Sequence, residues 1–251
     1  MIVIFIRLNF IIFKGIVFLK VCERMKNIAV IKFLGTNCEE DVSRSIRLAG
    51  GNPELVWFTE RDLSRFDGAV LPGGFSYGDY LRAGAIGART PVIEGLRKMI
   101  DMGKPVLGIC NGAQIGLEAG FSMGAMTNNI NWRFICKWVY LRVENNRTPF
   151  TRGYKKGEVI RMPIAHKEGR FYIDEDGLQE MYRKKMIVFK YCNEDGEITE
   201  DANPNGSIDN IAGVCNERGN CVLLMPHPER ASEKILGSTD GLKMFKSMLE
   251  G

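Results

Sequence analysis

No Cys-x-x-Cys pair occurs among the seven cysteines, which are scattered at Cys22, Cys38, Cys110, Cys136, Cys192, Cys215 and Cys221. An odd, dispersed set excludes the disulfide framework of a small secreted domain and points to a reduced, cytoplasmic setting. Histidine is scarcer still: only His166 and His227 occur. The clustered Cys and His of a zinc site are therefore lacking, and no metal is expected. Charge of one sign is also in short supply. The net charge is +4, and residues 1–24 supply three of these charges, with Arg7, Lys14, Lys20 and Arg24 against Glu23 alone. A body so near neutral offers no clustered basic face for nucleic acid. Nucleotide loops are absent too. No Gly-Lys-Ser/Thr and no G-x-G-x-x-G appears, so the chain is not expected to hold ATP itself.

What remains is ordinary globular composition, 251 residues with 45% hydrophobic and 25% charged, enough to bury one large α/β core. The first 24 residues stand apart. Arg7, Lys14 and Lys20 cut their apolar tract into runs too short to span a bilayer, each charge costing about 2.5–3.5 kcal/mol at a membrane centre. The tract lacks the order of a signal peptide. The expectation is an N-terminal extension, with Met25 as the working start and residues 25–251 as one domain. An amphipathic surface anchor is the alternative.

From Asn27 apolar runs alternate with helical patterns. Strands are expected at Asn27–Leu34, Leu55–Phe58, Gly68–Leu71 and Pro105–Ile109, and helices at Glu39–Ala49, within Pro91–Met102 and from Asn111 to Ala119. That alternation requires crossovers, hence a mostly parallel sheet covered by helices. Phe134–Val143 and Val159–Ile164 then follow with turns between them, which predicts an added antiparallel portion. Met186–Tyr191, Cys221–Met225 and a closing helix at Gly241–Leu249 complete the α/β pattern.

Three segments carry chemistry. Gly108-Ile109-Cys110-Asn111-Gly112 stands between a strand and a helix, like a nucleophile elbow with sulfur in place of oxygen. A helix N-terminus there favours thiolate. In Met225-Pro226-His227-Pro228-Glu229, Pro228 disfavours helix at His227, and an extended backbone would aim His227 and Glu229 to one face. Cys110, His227 and Glu229 then read as nucleophile, base and orienter. The third segment, Pro72–Tyr80, is a glycine-rich turn after a strand, suited to bringing backbone N–H groups to an oxyanion.

In this order the segments resemble the triad-type, class I glutamine amidotransferases. Gly35-Thr36-Asn37-Cys38, the GGFSYGD loop and Pro163-Ile164-Ala165-His166 narrow the resemblance to a branch serving purine biosynthesis. The resemblance implies a flavodoxin-like three-layer sandwich and a glutamine hydrolase. Its ammonia would pass to a separate synthetase subunit, accompanied by a small accessory subunit. That synthetase, holding the ATP and Mg, would convert formylglycinamide ribonucleotide to the amidine. Carried onto matching positions, Cys110 is the nucleophile, His227 the base and then acid, and Glu229 its partner. The Gly74 and Asn111 amides hold the oxyanion, and Gln114 helps bind glutamine. One position departs: the family shows His-Gly-Glu-Gly where this chain has His166-Lys167-Glu168-Gly169, which removes a glycine that a close contact would use. His166 is given an auxiliary or a plain structural role. Asn128–Phe134 and the glycine-rich loop are candidate docking surfaces. The alternatives are an amidotransferase serving another synthetase, a stand-alone cysteine hydrolase, and a non-catalytic metabolite-binding module.

Overall fold

The computed structural model describes residues 9–13, 16–20 and 24–250. The rest of the expected 1–24 extension lies outside the described residues. Within it, β1 (Asn9–Phe13) and β2 (Ile16–Lys20) pair antiparallel.

The body opens with β3 (Asn27–Lys32), whose centre is fully buried, as expected for a continuous apolar run inside a parallel sheet. Helix α1 (Glu39–Ala49) carries Glu39, Glu40 and Asp41 in its first turn, opposite the helix dipole, and ends on Gly50 at φ +95°. Strand β4 (Asn52–Trp57) starts three residues before the expected Leu55, because Asn52 is in parallel register with Asn27. Pro53 is tolerated because β4 is an edge strand. The chain continues through β5 (Gly68–Leu71), α2 (Val92–Asp101), β6 (Val106–Ile109) and α3 (Asn111–Glu118). Short β7 (Ala125–Thr127) precedes β8 (Ile135–Val143), β9 (Val159–His166) and β10 (Arg170–Tyr172). Then come α4 (Glu175–Arg183), β11 (Ile187–Cys192), β12 (Ile211–Cys215), β13 (Cys221–Leu224) and α5 (Leu242–Leu249).

The main sheet has nine strands in the order β4-β3-β5-β6-β13-β12-β11-β8-β9. The first five run parallel and the last four extend them antiparallel, so the expected mixed α/β sheet is the observed one. The chain steps from β3 outward to β4 through α1, but from β5 to β6 through α2 in the opposite direction. Right-handed crossovers therefore set these helices on opposite faces of the sheet. Helix α5 packs on α1, while α3 lies against β5, β6 and β13. Expected and observed elements agree within a few residues elsewhere. Helix α4 and strands β7, β10 and β12 went unread, as did the pairing of β1 with β2. The signal for α4 was an N-cap, since the Asp174 carboxylate accepts from the Gly177 amide at 2.8 Å. Six cysteines, from Cys38 to Cys221, are free, and among the described residues no helix is long and apolar enough to cross a membrane.

Candidate active site

Strands β6 and β13 are adjacent and parallel, with Ile109 in register with Leu224. Both therefore end at one sheet edge, where ligands of parallel sheets collect. Cys110 follows β6 at φ +50°, ψ −105°, a conformation that costs a non-glycine residue about 1–3 kcal/mol. Surrounding bonds impose it: the Cys110 amide donates to Leu224 O at 2.8 Å, and its carbonyl accepts from Ala113 and Gln114. The turn is possible because Gly112 has no side chain. A Cβ there would lie 2.0 Å from Leu71 O, at the end of β5.

His227 follows β13 in extended backbone, and its Nδ1 lies 2.6 Å from Glu229 Oε1. The route differs from the expected one. Extension stops at His227, and Pro228–Ala231 forms a 3₁₀ turn with proline at its start, so the turn brings the carboxylate back to the ring. Both residues are buried, 2% exposed each. Burial opposes charge on His227, yet the Glu229 carboxylate and the neighbouring Cys110 and Cys38 sulfurs outweigh it and hold its pKa well above the ordinary value. Among the described residues Nε2 has no hydrogen-bond partner.

The glycine-rich turn completes the edge. A Cβ on Gly73 would stand 2.8 Å from His227 Cε1 and 3.5 Å from Cys110 Cβ. The amides of Gly74 and Asn111 donate no internal hydrogen bond among the described residues; a first-turn helix amide such as that of Asn111 has no intrahelical acceptor. Gly74 lines a cavity of about 300 Å³ together with Cys110, Gln114, His166 and Phe134, and Asn111 opens the helix directly after Cys110. The Cys110 Sγ donates to Ala165 O at 3.6 Å. Gln114 reaches the cavity with both ends engaged: its Oε1 accepts from Asn111 and its Nε2 donates to Glu168 O at 2.6 Å.

Sequence reasoning missed several lining groups. Asp79 and Glu168 place two carboxylates at the cavity, and burial, then Glu168, raise the Asp79 pKa to about 6. Asn129 fixes His166. Its Nδ2 donates to Arg133 O and His166 O, so its Oδ1 must accept from Nδ1–H of His166, at 3.1 Å. Burial, then His227, lower the His166 pKa to about 3, and its Nε2 is buried without a partner. Lys167, where the resembling family has glycine, takes no positive φ and is exposed. The glycine under constraint is Gly169, where a Cβ would lie 2.2 Å from His166 Nδ1. The departure at 167 therefore leaves the tight contact of this loop intact.

A strained thiol before a helix, with a buried His–Glu pair just past the neighbouring parallel strand, is the arrangement of a cysteine nucleophile beside a histidine base, the class of site that a thiol hydrolase carries. Residues 25–248 match the family described as CobB/CobQ-like glutamine amidotransferase domain, and the chain belongs to that family. It is 74% identical over 223 residues to the phosphoribosylformylglycinamidine synthase subunit PurQ of Methanocaldococcus jannaschii, covering 89% of this chain and 97% of that one. The PurQ of Pyrococcus furiosus is 54% identical over 226 residues, covering 90% and 98%. A solved structure of PurLQS from Thermotoga maritima superposes with TM-score 0.80 at 42% identity, over 90% of this chain and 99% of that one.

Proposed function

We propose that this chain is the glutaminase subunit of phosphoribosylformylglycinamidine synthase. It hydrolyses glutamine to glutamate and passes the ammonia to a synthetase subunit that converts formylglycinamide ribonucleotide and ATP to the amidine. The observation that carries this reading is the convergence of Cys110 with the buried His227–Glu229 pair at one sheet edge, where Gly73 packs against both the thiol residue and the imidazole, joined to the high identity with PurQ proteins.

In this reading the Cys110 thiolate attacks the side-chain amide carbon of glutamine, forming a C–S bond. The oxyanion rests on the amides of Gly74 and Asn111, each worth on the order of 10²–10³ in turnover. Protonated His227 gives its Nε2 proton to the departing nitrogen, the C–N bond breaks and ammonia leaves. The same histidine then takes a proton from water, which cleaves the glutamyl thioester and restores the thiolate. Glu229 stabilises the imidazolium throughout, and Gln114 braces the cavity wall. ATP and Mg belong to the partner; no cofactor or metal is assigned to this chain, and the scattered free cysteines suit a cytoplasmic setting.

Free ammonia is lost to bulk water, so the cavity mouth must be sealed by the subunit that consumes it. Phe75 and Phe134 flank that mouth with ring centroids 6.5 Å apart, and Ile130 and Trp132 are 63% and 70% exposed. We assign this apolar rim to docking of the synthetase; the likeness to PurLQS supports such a partner, with a small accessory subunit. The test is Cys110→Ala in the reconstituted complex: glutamine-dependent synthesis is abolished while synthesis from added ammonia persists. Loss of both activities would reduce Cys110 to a structural residue.

A further inference from the structure

Gly35-Thr36-Asn37-Cys38 has no part in the chemistry above, yet it ends in a second thiol at the same centre. Cys38 immediately precedes α1 and is 2% exposed. Its Sγ accepts a 3.1 Å hydrogen bond from Arg230 Nη2. The same sulfur, a ring nitrogen of His227 and a carboxylate oxygen of Glu229 all lie within 4.8 Å of one another. A Cβ on Gly73 would stand 3.2 Å from this sulfur and 2.8 Å from His227 Cε1, so thiol and imidazole share one packing point. The backbone ties them further: the amides of Asn37 and Cys38 both donate to Gly73 O, at 3.2 and 3.1 Å.

This sulfur does not line the cavity that Cys110 opens onto, so it is no second nucleophile. Nor is the cluster arranged for a cation, because a guanidinium already occupies the sulfur and Nδ1 of His227 is engaged by Glu229. What the geometry leaves is an electrostatic role. Arg230, three residues after His227, is half-buried with its guanidinium turned onto Cys38. Without an acceptor there, a fixed positive charge would face the imidazolium that the reaction needs, at low local dielectric.

We infer that Cys38 is a positioning residue for His227: its sulfur supports the protonated ring and takes up the Arg230 guanidinium beside it. The inference rests on the hydrolysis proposed for Cys110 and His227. The titratable groups around the ring are Glu229 from its own turn, Cys110 from the elbow, Cys38 and Asp41 from the start of α1, and His166 from β9, with the Arg230 guanidinium reaching this group through Cys38. His166 stays neutral above about pH 3 and adds no charge. Removing Cys38 therefore lowers the pKa of His227, and removing Arg230 raises it.

The experiment is the pH profile of glutamine hydrolysis by the reconstituted complex, with labelling of Cys110 by an electrophilic glutamine analogue in parallel. Cys38→Ala is expected to move the alkaline limb of kcat down by about one pH unit, with KM for glutamine within about twofold of the unaltered value. Cys38→Ser, which keeps an acceptor for Arg230, restores most of that shift. Arg230→Gln moves the limb the opposite way, and in that background Cys38→Ala loses most of its effect. A loss of kcat that is uniform across pH in both Cys38 variants, or limbs unmoved in all of them, overturns the inference. Absence of both hydrolysis and the Cys110 adduct in the unaltered complex overturns the underlying reading as well.

Discussion

Glu229 Oε1 lies 2.6 Å from His227 Nδ1, and neither residue exposes more than 2% of its surface. The pair is thus an ion pair in waiting, kept from water, whose charge on the ring depends on the carboxylate. Glu229→Gln retains a polar group there while removing that charge and permitting the wrong tautomer. Glutamine turnover should fall by roughly 10³–10⁴, measured as glutamate release, with Cys110 labelling slowed in parallel. Turnover within tenfold of the unaltered chain would remove Glu229 from the mechanism.

The elbow glycine is a stability position as well as a functional one. With Leu71 O at 2.0 Å from a Cβ on Gly112, Gly112→Ala must displace either α3 or the end of β5. Overpacking of this kind costs about 1–3 kcal/mol, so thermal unfolding should show a Tm lower by roughly 2–12 °C for a chain of this size. An unchanged Tm would contradict the close approach.

His166 makes stability depend on pH. Its pKa is about 3 in the folded chain, lowered first by burial and then by His227, against about 6.5 unfolded. Between these values the unfolded chain binds a proton that the folded chain does not. This contribution therefore rises with pH from about 3 to 6.5, is complete above, and is lost on acidification. Urea unfolding at pH 4.5 and 7.5 should show a smaller difference for His166→Gln than for the unaltered chain.

Asp79 works in the opposite sense. Its pKa of about 6 is above the ordinary 3.8, raised first by burial and then by Glu168, so ionisation destabilises the fold as pH rises through that window. Asp79→Asn should gain stability relative to the unaltered chain at pH 7 and little at pH 4. The same pair of urea titrations reads it, and a gain equal at both pH values would show that charge is not the cause.

The apolar rim gives a prediction about assembly. Trp132→Asp, at a 70% exposed position, should leave the fold of the isolated chain unchanged and weaken binding to the synthetase subunit by about tenfold or more. Titration calorimetry between the two subunits measures it. Unaltered affinity would move the docking surface elsewhere.

Much of this was legible along the chain because it is local. The buried runs at Asn27–Lys32 and Cys221–Leu224, the acids opening α1 and the glycines around Cys110 each follow from period, capping or sterics within a few residues. Strand β12 was harder to see, since Gly213 splits a five-residue run whose burial comes only from its neighbours β11 and β13. The expected pairing of His227 with Glu229 held, although a proline-led 3₁₀ turn rather than extension produced it.

Residue types and local geometry were thus set by the sequence itself: a thiol on a strained turn, a histidine after a strand, and glycine at 112 where only a hydrogen fits. The tertiary structure alone decided which distant groups share a field. Cys38 and Arg230 are 192 positions apart yet 3.1 Å apart in space, and Asn129 fixes the tautomer of His166 across 37 positions. No local pattern encodes such contacts, because they arise where the ends of β3, β6, β9 and β13 are brought together, and burial there makes each neighbouring charge count.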